Sequence, residues 1–354
     1  MQATEFLTEI VKINSPSSRE EELTQFIAEQ GQKLGFEKVE VDHFNNVVLE
    51  IGPGKKEIIL LGHIDTVQPS LPVKVEKGEL WGRGSVDAKG AFATFVFAAL
   101  QASKKLKNTK IIVAGVVQEE KSGVGARVLA EKVNAPAAVI VGEPSDWQGI
   151  TLGYKGVATV EYFQRKPVVH SANLATSNVI EDAIAFTEKI RQFAEKLNKG
   201  KGAWDGLQQR VEKFVYDEVS GVEQVKVRVN FRTPLDFKFG ELKKVIDASS
   251  NGGEVSYLQN WGTEEACLAS KNTPVVRAFL SSIREQGGKP VFKVKTGTAD
   301  MNTFMKAFPD VPMVSYGPGD SNLDHTSEER LSLKEFEKAI EVLTSVLVKL
   351  DGSL

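Results

Sequence analysis

The chain of 354 residues is longer than one hydrophobic core usually organises, so its length predicts two domains. Lysine and arginine total 44 against 47 aspartate and glutamate, and this near balance excludes the basic footprint of a general nucleic-acid-binding protein. Hydrophobic residues at 41% and charged residues at 26% exclude wholesale disorder and are typical of a globular protein with a sizeable core.

The sequence carries few signals for export, membrane insertion or disulfide bonding. Residues 1–30 lack the basic start, apolar middle and small-residue cleavage site of a signal peptide. The longest apolar stretch, Ala91–Leu100, is far shorter than the ~20 residues that a membrane span needs. We therefore expect a cytoplasmic protein. The single cysteine, Cys267, excludes an internal disulfide and a thiolate cluster, so any metal must be bound by histidines and carboxylates.

The first half of the chain reads as an α/β layer. Apolar residues at helical spacing predict one N-terminal helix around Phe6 and Ile10 and a second around Leu23 and Ile27. Apolar runs then predict strands at 39–41, 47–51, 58–61, 111–117 and 138–141, and a helix at 90–103. Strands alternating with helices predict a buried sheet covered by helices.

A change of pattern near residue 156 predicts an inserted domain. Residues 156–265 read as strand 157–163, helix 179–197, strand 224–231, helix 240–248 and strand 254–258. The α/β pattern then returns with helix 273–286, strand 313–316 and helix 333–350. We therefore predict a first domain from 1–155 plus 266–354, into which a compact domain of residues 156–265 is inserted.

His63 is the first candidate site residue. It follows an apolar strand in GHIDTV, and Asp65 is close enough in sequence to hold the ring nitrogen that does not face a metal. A lone histidine at a strand end is more often structural, so the case depends on further residues. Those residues are Asp87 in GRGSVDAKG, Glu119 and Glu120 in QEEKSG, Glu143 in GEPS, and His325 in DHTSEE.

Together these side chains predict a pair of metal ions. They follow predicted strands or lie in glycine-rich loops, where open α/β sheets collect ligand-binding residues. Each carboxylate alone is more simply a solvated side chain or a turn former. Two histidines with three or four carboxylates, however, suit two ions of zinc, cobalt or manganese. The count is satisfied with Asp87 as bridge, His63 paired with Glu143, Glu120 paired with His325, and Glu119 left as general base.

These motifs, spread over residues 62–329, resemble the dinuclear-zinc amidohydrolases and peptidases that include acetylornithine deacetylase, succinyl-diaminopimelate desuccinylase, aminoacylase and carboxypeptidase G2. The resemblance implies a phosphorylase/hydrolase-like zinc-peptidase catalytic domain with an inserted ferredoxin-like α+β lid that forms a homodimer. It also implies two divalent metal ions per subunit, zinc or alternatively cobalt. The implied ligands are His63, Asp87, Glu120, Glu143 and His325, with Glu119 as general base and Asp65 in support.

Two residues of the inserted domain gain a role by the same resemblance. His170, in VVHSAN, is similar to a histidine that stabilises the oxyanion in the partner subunit's site. Arg232, in VNFRTP, resembles an arginine that binds the substrate carboxylate, for which a guanidinium is suited. The competing interpretations are a surface-loop histidine and an exposed edge arginine.

The segment KTGTADMN narrows the expected substrate. With DHTSEE, it looks most like the subgroup that releases lysine or ornithine from an amino-group carrier protein, although Ala299 stands where a serine is expected. Substrate contacts are then expected from Lys295, Thr296, Gly297 and Thr298, with a simple tight turn as the alternative. An acidic carrier would also call for a basic rim, for which the candidates are Lys89, Lys155, Arg165, Lys166 and Lys295.

Several alternatives stay open at this point. A small acyl-amino acid could replace the carrier-linked substrate, as in acetylornithine or acetyl-lysine deacetylase and the desuccinylase. The same chemistry also serves dipeptidases, aminopeptidases and carboxypeptidases. A catalytically inactive metal-binding interaction protein is disfavoured by the Glu119–Glu120 pair, because a role in metal binding alone needs no extra carboxylate.

Overall fold

A computed structural model describes residues 1–170, 177–258, 260 and 262–354 of the protein. The chain divides into two compact units. The first unit comprises residues 1–153, 269–294 and 299–354, and the second comprises residues 154–268 and 295–298. The short segment 295–298 groups with the second unit, although its position in the sequence suggested the first.

The elements follow in chain order. The helices are α1 Ala3–Lys12, α2 Glu21–Leu34, α3 Lys89–Ser103, α4 Val124–Lys132, α5 Val179–Asn198, α6 Phe239–Ser249, α7 Pro274–Glu285, α8 Asp300–Ala307 and α9 Leu333–Asp351, with a 3-10 turn at Ser321–Leu323. The strands are β1 Lys38–Val41, β2 Val47–Ile51, β3 Lys56–His63, β4 Lys74–Glu76, β5 Glu79–Trp81, β6 Thr109–Val116, β7 Ala138–Gly142, β8 Gly149–Tyr154, β9 Gly156–Pro167, β10 Gln208–Val219, β11 Val222–Thr233, β12 Glu254–Tyr257, β13 Cys267–Leu268, β14 Val291–Lys295, β15 Met313–Ser315 and β16 Arg330–Ser332.

The main sheet of the first unit has the order β1-β2-β6-β3-β7-β15-β8, with β14 also beside β8. Strands β6, β3, β7 and β15 run parallel to one another, and β2 and β8 pair antiparallel with the two outer members of this set. Their register places His63 opposite Val116 and Gly62 opposite Gly142. The carboxyl ends of these strands therefore meet at one edge, where the loops that follow them lie together.

Helix α3 anchors that edge to the core. Its sequence, KGAFATFVFAALQAS, is apolar all round, and nearly every residue is buried, as expected for a helix packed on several sides. Its first turn has room only for a glycine at Gly90, because a Cβ atom there would lie 2.4 Å from the Ser85 carbonyl oxygen. The helix thus begins directly against the loop that precedes it.

The second unit has the element order β-α-β-β-α-β and an antiparallel sheet in the order β10-β11-β9-β12, which is ferredoxin-like. Alternate residues of β11, from Glu223 to Thr233, are buried, and their apolar members share a core with residues of α5 and α6. The other face of β11 is polar: Lys226 and Arg228 both form ion pairs with Glu161.

The predicted helices and strands named above are present, with ends shifted by a few residues. The sequence interpretation missed the helices α4 and α8 and the strands β4, β5, β8, β10, β13, β14 and β16. Strand β10 is an edge strand exposed along most of its length, so it lacks the apolar alternation that marks a half-buried strand. In the described part of the chain, every helix is too short or too polar to cross a membrane.

Candidate metal centre and active site

All five predicted ligands belong to the first unit and lie at the carboxyl edge of its sheet. His63 ends β3, the Glu119–Glu120 pair follows β6, and Glu143 comes directly after β7. The positions follow from the parallel register, since neighbouring strands end at the same height. Asp87 lies in the loop before α3, and His325 lies in the loop after the 3-10 turn.

Asp87 is the centre of the cluster. Its Oδ1 atom lies 3.1 Å from His63 Nε2, and its Oδ2 atom lies 3.1 Å from His325 Nε2. The two oxygens of one carboxylate therefore face two different imidazoles. His63 is buried, whereas half of the His325 side chain is exposed. This arrangement has one buried side and one side open to solvent.

The acidic partners complete two groups. Glu120 Oε1 lies 2.9 Å from His325 Nε2. Ligand atoms of Asp87, Glu120 and His325 all lie within 4.8 Å of one another, and the same holds for His63, Glu119 and Glu120. Glu143 is a member of neither group among the described residues, although it is buried nearby. The structure thus brings together four of the five predicted ligands, with Glu119 beside them.

The charged groups of the cluster shift one another's pKa values. Burial alone would raise the pKa of Asp87, but hydrogen bonds to His325 and His63 hold it well below its usual range. Hydrogen bonds to Asp87 and Glu120 raise the pKa of His325 to about 10. Burial opposes a charge on His63, yet contacts with Asp65 and Asp87 raise its pKa well above the usual value. Protons on the two imidazoles thus offset part of the carboxylate charge, and a divalent cation that binds here displaces them.

The pKa of Glu119 is shifted in the direction opposite to that of Asp87. Burial raises its pKa well above the usual value; the charge of His63 opposes this rise, and those of Glu143, Asp300 and Glu120 add to it. Burial also raises the pKa of Glu120. The site therefore holds more carboxylate than its own two histidines can neutralise.

Asp65 organises the pair that follows β6. Its side chain is fully buried and accepts hydrogen bonds from the Glu119 amide at 3.0 Å and the Glu120 amide at 3.2 Å. It also accepts from the Ser17 hydroxyl at 2.7 Å, and its Oδ1 atom lies 3.5 Å from His63 Nδ1. His63 Nδ1 also lies 3.1 Å from the Asp65 carbonyl oxygen, which leaves Nε2 directed at Asp87. Asp65 thus orients His63 and holds the Glu119–Glu120 turn.

Asp300 is an acidic residue that the sequence interpretation did not assign. It is the first residue of α8, is buried, and lies close enough to Glu119 to raise the pKa of that group. The signal was present, because Asp300 belongs to the KTGTADMN segment whose first four residues were singled out. A buried carboxylate at this helix start adds to the negative charge around Glu119.

The remaining predicted residues belong to the second unit. Arg232, on the polar face of β11, donates from Nη1 to the Thr298 hydroxyl at 2.9 Å. Lys295 ends β14, and Thr296 and Gly297, which follow it, form a bend. His170 is exposed after β9, and the Ser171 and Ala172 that complete its motif lie outside the described residues.

The predicted basic rim is wrong for two of its five members. Lys89 is buried and donates to the carbonyls of Ile10 and Ile13, at 3.0 and 2.8 Å. Lys155 is buried and donates to the carbonyls of Ala203 and Gly206. Burial lowers the pKa of Lys89 to about 7 and that of Lys155 to about 8. Both are internal caps for backbone carbonyls.

The other three members differ in exposure. Lys166 forms an ion pair with the buried Asp182 at 2.5 Å, so its charge is largely committed within the second unit. Arg165 is exposed, and Lys295 is half-buried.

Comparison with known proteins agrees with this site. Residues 59–349 match the model of peptidase family M20/M25/M40. The [LysW]-lysine hydrolase of Deinococcus radiodurans is 37% identical, with 99% of this chain and 97% of that protein covered. The [LysW]-lysine/[LysW]-ornithine hydrolase of Saccharolobus islandicus is 28% identical, with 94% and 91% covered.

A solved structure extends the likeness to the fold. The crystal structure of an M20 family metallo-carboxypeptidase from Sulfolobus solfataricus covers 100% of both chains with a TM-score of 0.80, at 21% sequence identity. The predicted α/β zinc-peptidase fold is therefore confirmed. With nearly the whole chain matched and a site of histidines and carboxylates at the expected strand ends, the protein belongs to peptidase family M20/M25/M40 and is a hydrolase of that family.

Proposed function

We propose that this protein is a metal-dependent amide hydrolase that releases lysine, ornithine or both from an amino-group carrier protein, in lysine or arginine biosynthesis. The relatives whose names specify LysW-linked lysine and ornithine support this substrate. The observation that carries the chemistry is one carboxylate, Asp87, facing the Nε2 atoms of both His63 and His325. This geometry suits a ligand shared by two metal ions.

The donor set fits a pair of divalent cations. It offers imidazole nitrogen and carboxylate oxygen at mutual distances within 4.8 Å, with more negative charge than the two histidines neutralise. We assign His63, Asp87, Glu120 and His325 as ligands on this geometry, and Glu143 as the fifth by family resemblance. Zinc suits these donors, with cobalt as the alternative. When bound, such ions polarise the amide carbonyl and make water acidic enough to lose a proton near neutral pH.

Glu119 is the proposed general base. It lies beside His63 and Glu120, and its backbone is held by Asp65. Its role is to take a proton from the attacking water and return it to the departing amine, so that the amide C–N bond breaks with water added across it. Asp65 keeps His63 and the Glu119–Glu120 turn in place during this cycle. Asp300 adds negative charge that favours a protonated Glu119 after the first transfer.

Substrate recognition is assigned to the second unit. Arg232 would bind the substrate carboxylate, and its bond to Thr298 supports a shared role with the segment Lys295, Thr296, Gly297 and Thr298. His170 would stabilise the oxyanion in the partner subunit's site. These assignments rest on family resemblance and on the suitability of guanidinium and imidazole groups for anions.

We also propose a homodimer formed through the second unit. Strand β10 is a long edge strand that exposes Phe214, Val215, Tyr216 and Val219, and such an edge readily pairs with another strand. Phe214→Lys should convert the dimer to a monomer in light scattering. The matched change Phe44→Lys, at an exposed phenylalanine of the first unit, should not. A monomeric unmodified protein would contradict this proposal.

Turnover measurements test the activity. The substrates are carrier-linked γ-glutamyl-lysine and γ-glutamyl-ornithine, N-acetyl-lysine, N-acetyl-ornithine and a dipeptide, each with zinc or cobalt and after chelation. We expect chelator-sensitive release of free lysine or ornithine from the carrier-linked forms. Preference for the acetylated amino acids would move the protein to the deacetylase branch, and activity unaffected by chelation would overturn the metal site.

Glu119→Gln tests the base within the same assay. The variant should bind metal normally while turnover falls by about 10²–10⁴-fold, the usual contribution of general base catalysis. Glu335→Gln is the matched control, because Glu335 accepts hydrogen bonds from the Gly319 and Trp147 amides and is in neither ligand group. Retention of most turnover by Glu119→Gln would exclude this residue as the base.

A further inference from the structure

Glu329 is a buried carboxylate to which the mechanism above gives no role. Its side chain is 1% exposed, and its Oε1 atom accepts three backbone amides: Gly84 at 2.9 Å, Val86 at 3.1 Å and Asp87 at 3.1 Å. One oxygen thus fixes the whole turn that ends at Asp87. The last of these amides belongs to the proposed bridging ligand itself.

Arg83 completes the arrangement from the other side. It is 5% exposed, and its Nη1 atom donates to Glu329 Oε2 at 2.7 Å and to the Thr326 carbonyl at 3.0 Å. Its Nε atom donates to the Pro69 carbonyl at 3.1 Å. Thr326 directly follows His325 in the chain. The ion pair therefore contacts the backbone beside both Asp87 and His325.

The two loops also leave adjacent ends of one β-ladder. Strands β5 and β16 are antiparallel, with Trp81 opposite Arg330, and the Gly82 amide donates to the Glu329 carbonyl at 3.2 Å. Arg83 comes just after the end of β5, and Glu329 comes just before the start of β16. The β5–β16 ladder fixes the adjacent ends of the two loops, and the ion pair fixes the path of each loop beyond that point.

A buried ion pair is poor evidence of stabilisation, since taking two charges out of water costs about as much as their attraction returns. Its better-attested use is to specify one geometry. Here the hydrogen bonds of Glu329 and Arg83 hold the backbone at Asp87 and next to His325. The side chains of Asp87 and His325 meet within 3.1 Å. A shift in one loop without the other would separate the Asp87 Oδ2 and His325 Nε2 atoms.

We infer that Glu329 and Arg83 are a positioning pair that sets the spacing between Asp87 and His325, and so the affinity for the metal ion that those two ligands share. The inference rests on the proposed metal site. Neither residue belongs to the two ligand groups; both act through the backbone of the loops that carry the ligands.

The test is metal binding by the purified full chain, measured with zinc in competition with a chromophoric chelator. Glu329→Gln keeps the size of the side chain but loses its charge and turns an amide donor toward Arg83 or the loop amides. The unmodified protein should bind two ions per chain. In the variant, affinity for one of them should fall by about 10–100-fold, the usual effect of removing a partner that orients metal ligands. The visible spectrum of the cobalt-loaded variant should change with it.

Asp351→Asn is the matched control. Asp351, like Glu329, accepts three backbone amides of one loop, those of Lys107, Asn108 and Thr109, which lie at the amino end of β6. It should leave both zinc affinities unchanged. An equal loss in both variants would show a general effect of loop disruption and overturn the inference.

Arg83→Lys serves where Glu329→Gln does not fold. It keeps the charge facing Glu329 but cannot reach Pro69, Thr326 and Glu329 together, so one zinc affinity should again fall. Unchanged affinity for both ions in a folded variant would overturn the inference. Failure of the unmodified protein to bind two ions would instead refute the proposed metal site.

Discussion

The parallel strands β3 and β6 end very differently at their two edges. At the carboxyl edge, His63 and the Glu119–Glu120 turn join a buried cluster of charges. At the amino edge, Asp351 holds the turn that begins β6. Exposed lysines surround that edge: Lys55, Lys56, Lys104, Lys105 and Lys107.

Both edges use the same backbone device, a carboxylate that accepts three neighbouring amides. At the amino edge the charged groups stay exposed to water. Water screens their interactions, so placing them together costs little free energy. At the carboxyl edge the carboxylates lie together out of water, where unneutralised charge is expensive. A clamped loop is thus no sign of function by itself. The distinguishing feature is a surplus of carboxyl groups over histidines, from which we expect the carboxyl edge to depend on a bound cation.

Among the changes that test this difference between the carboxyl and amino edges, metal removal should have the largest effect. An ion present at about 1,000 times its dissociation constant stabilises a fold by about 4 kcal/mol when it binds only the native state. Chelation should therefore lower the unfolding midpoint of the unmodified protein and of Asp351→Asn by the same amount. The measurement is thermal unfolding with and without zinc, and an unchanged midpoint would contradict the dependence of the carboxyl edge on a cation.

Replacing Lys89 should have the second-largest effect on stability. Lys89→Met leaves two buried carbonyls, those of Ile10 and Ile13, without their donor, which we expect to cost about 3 kcal/mol in the free energy of unfolding. Lys105→Met, at the exposed amino edge, should change it by less than about 0.5 kcal/mol. Urea unfolding measures both, and equal values would mean that Lys89 behaves as a surface residue.

Asp351→Asn should have a smaller effect at the amino edge. The amide keeps one acceptor oxygen but turns a donor toward the loop amides, at a cost of about 1–2 kcal/mol. Stability by urea unfolding should fall while turnover per active site stays the same. A large loss of turnover would show that the two edges are coupled.

The smallest expected effect is the pH dependence of the stability lost in Asp351→Asn. Burial alone would raise the pKa of Asp351, but the amides of Asn108, Lys107 and Thr109 and the Thr109 hydroxyl lower it. A carboxyl with a lowered folded-state pKa stabilises the fold above its unfolded value, about 3.9, and loses that contribution as the pH falls through the folded value. The stability difference between the unmodified protein and Asp351→Asn should therefore shrink below about pH 4, and a constant difference would exclude the ionised carboxylate as its source.

The sequence was most informative where chemistry and strand ends coincide. The meeting of His63 with the Glu119–Glu120 turn was predictable, because a parallel sheet gathers the residues that follow its strands. Asp87 and His325 lie in loops away from those strand ends, and their motifs indicated them. Lys89 and Lys155 were misplaced, since a charged residue type indicates exposure only on average and a backbone carbonyl in need of a donor leaves no mark in the sequence.

Other features had no signal of that kind. Glu329 and Arg83 bind mainly backbone groups across more than 240 residues of chain, so spacing does not reveal them. Strand β10 is exposed along most of its length and lacks the alternation that identified its neighbour β11. Segment 295–298 looks continuous with the first unit in sequence and joins the second in space.

The order of the ligands along the chain has a consequence for synthesis. Glu120 and His325 are 205 residues apart, and the second unit is encoded between them. At about 5–20 residues per second, a ribosome needs roughly 10–40 s to add the stretch between them. During that interval the carboxylates made first lack one of their two histidines, and the whole second unit is made before that histidine is added. The nascent enzyme should therefore acquire its full affinity for metal only after His325 has been added.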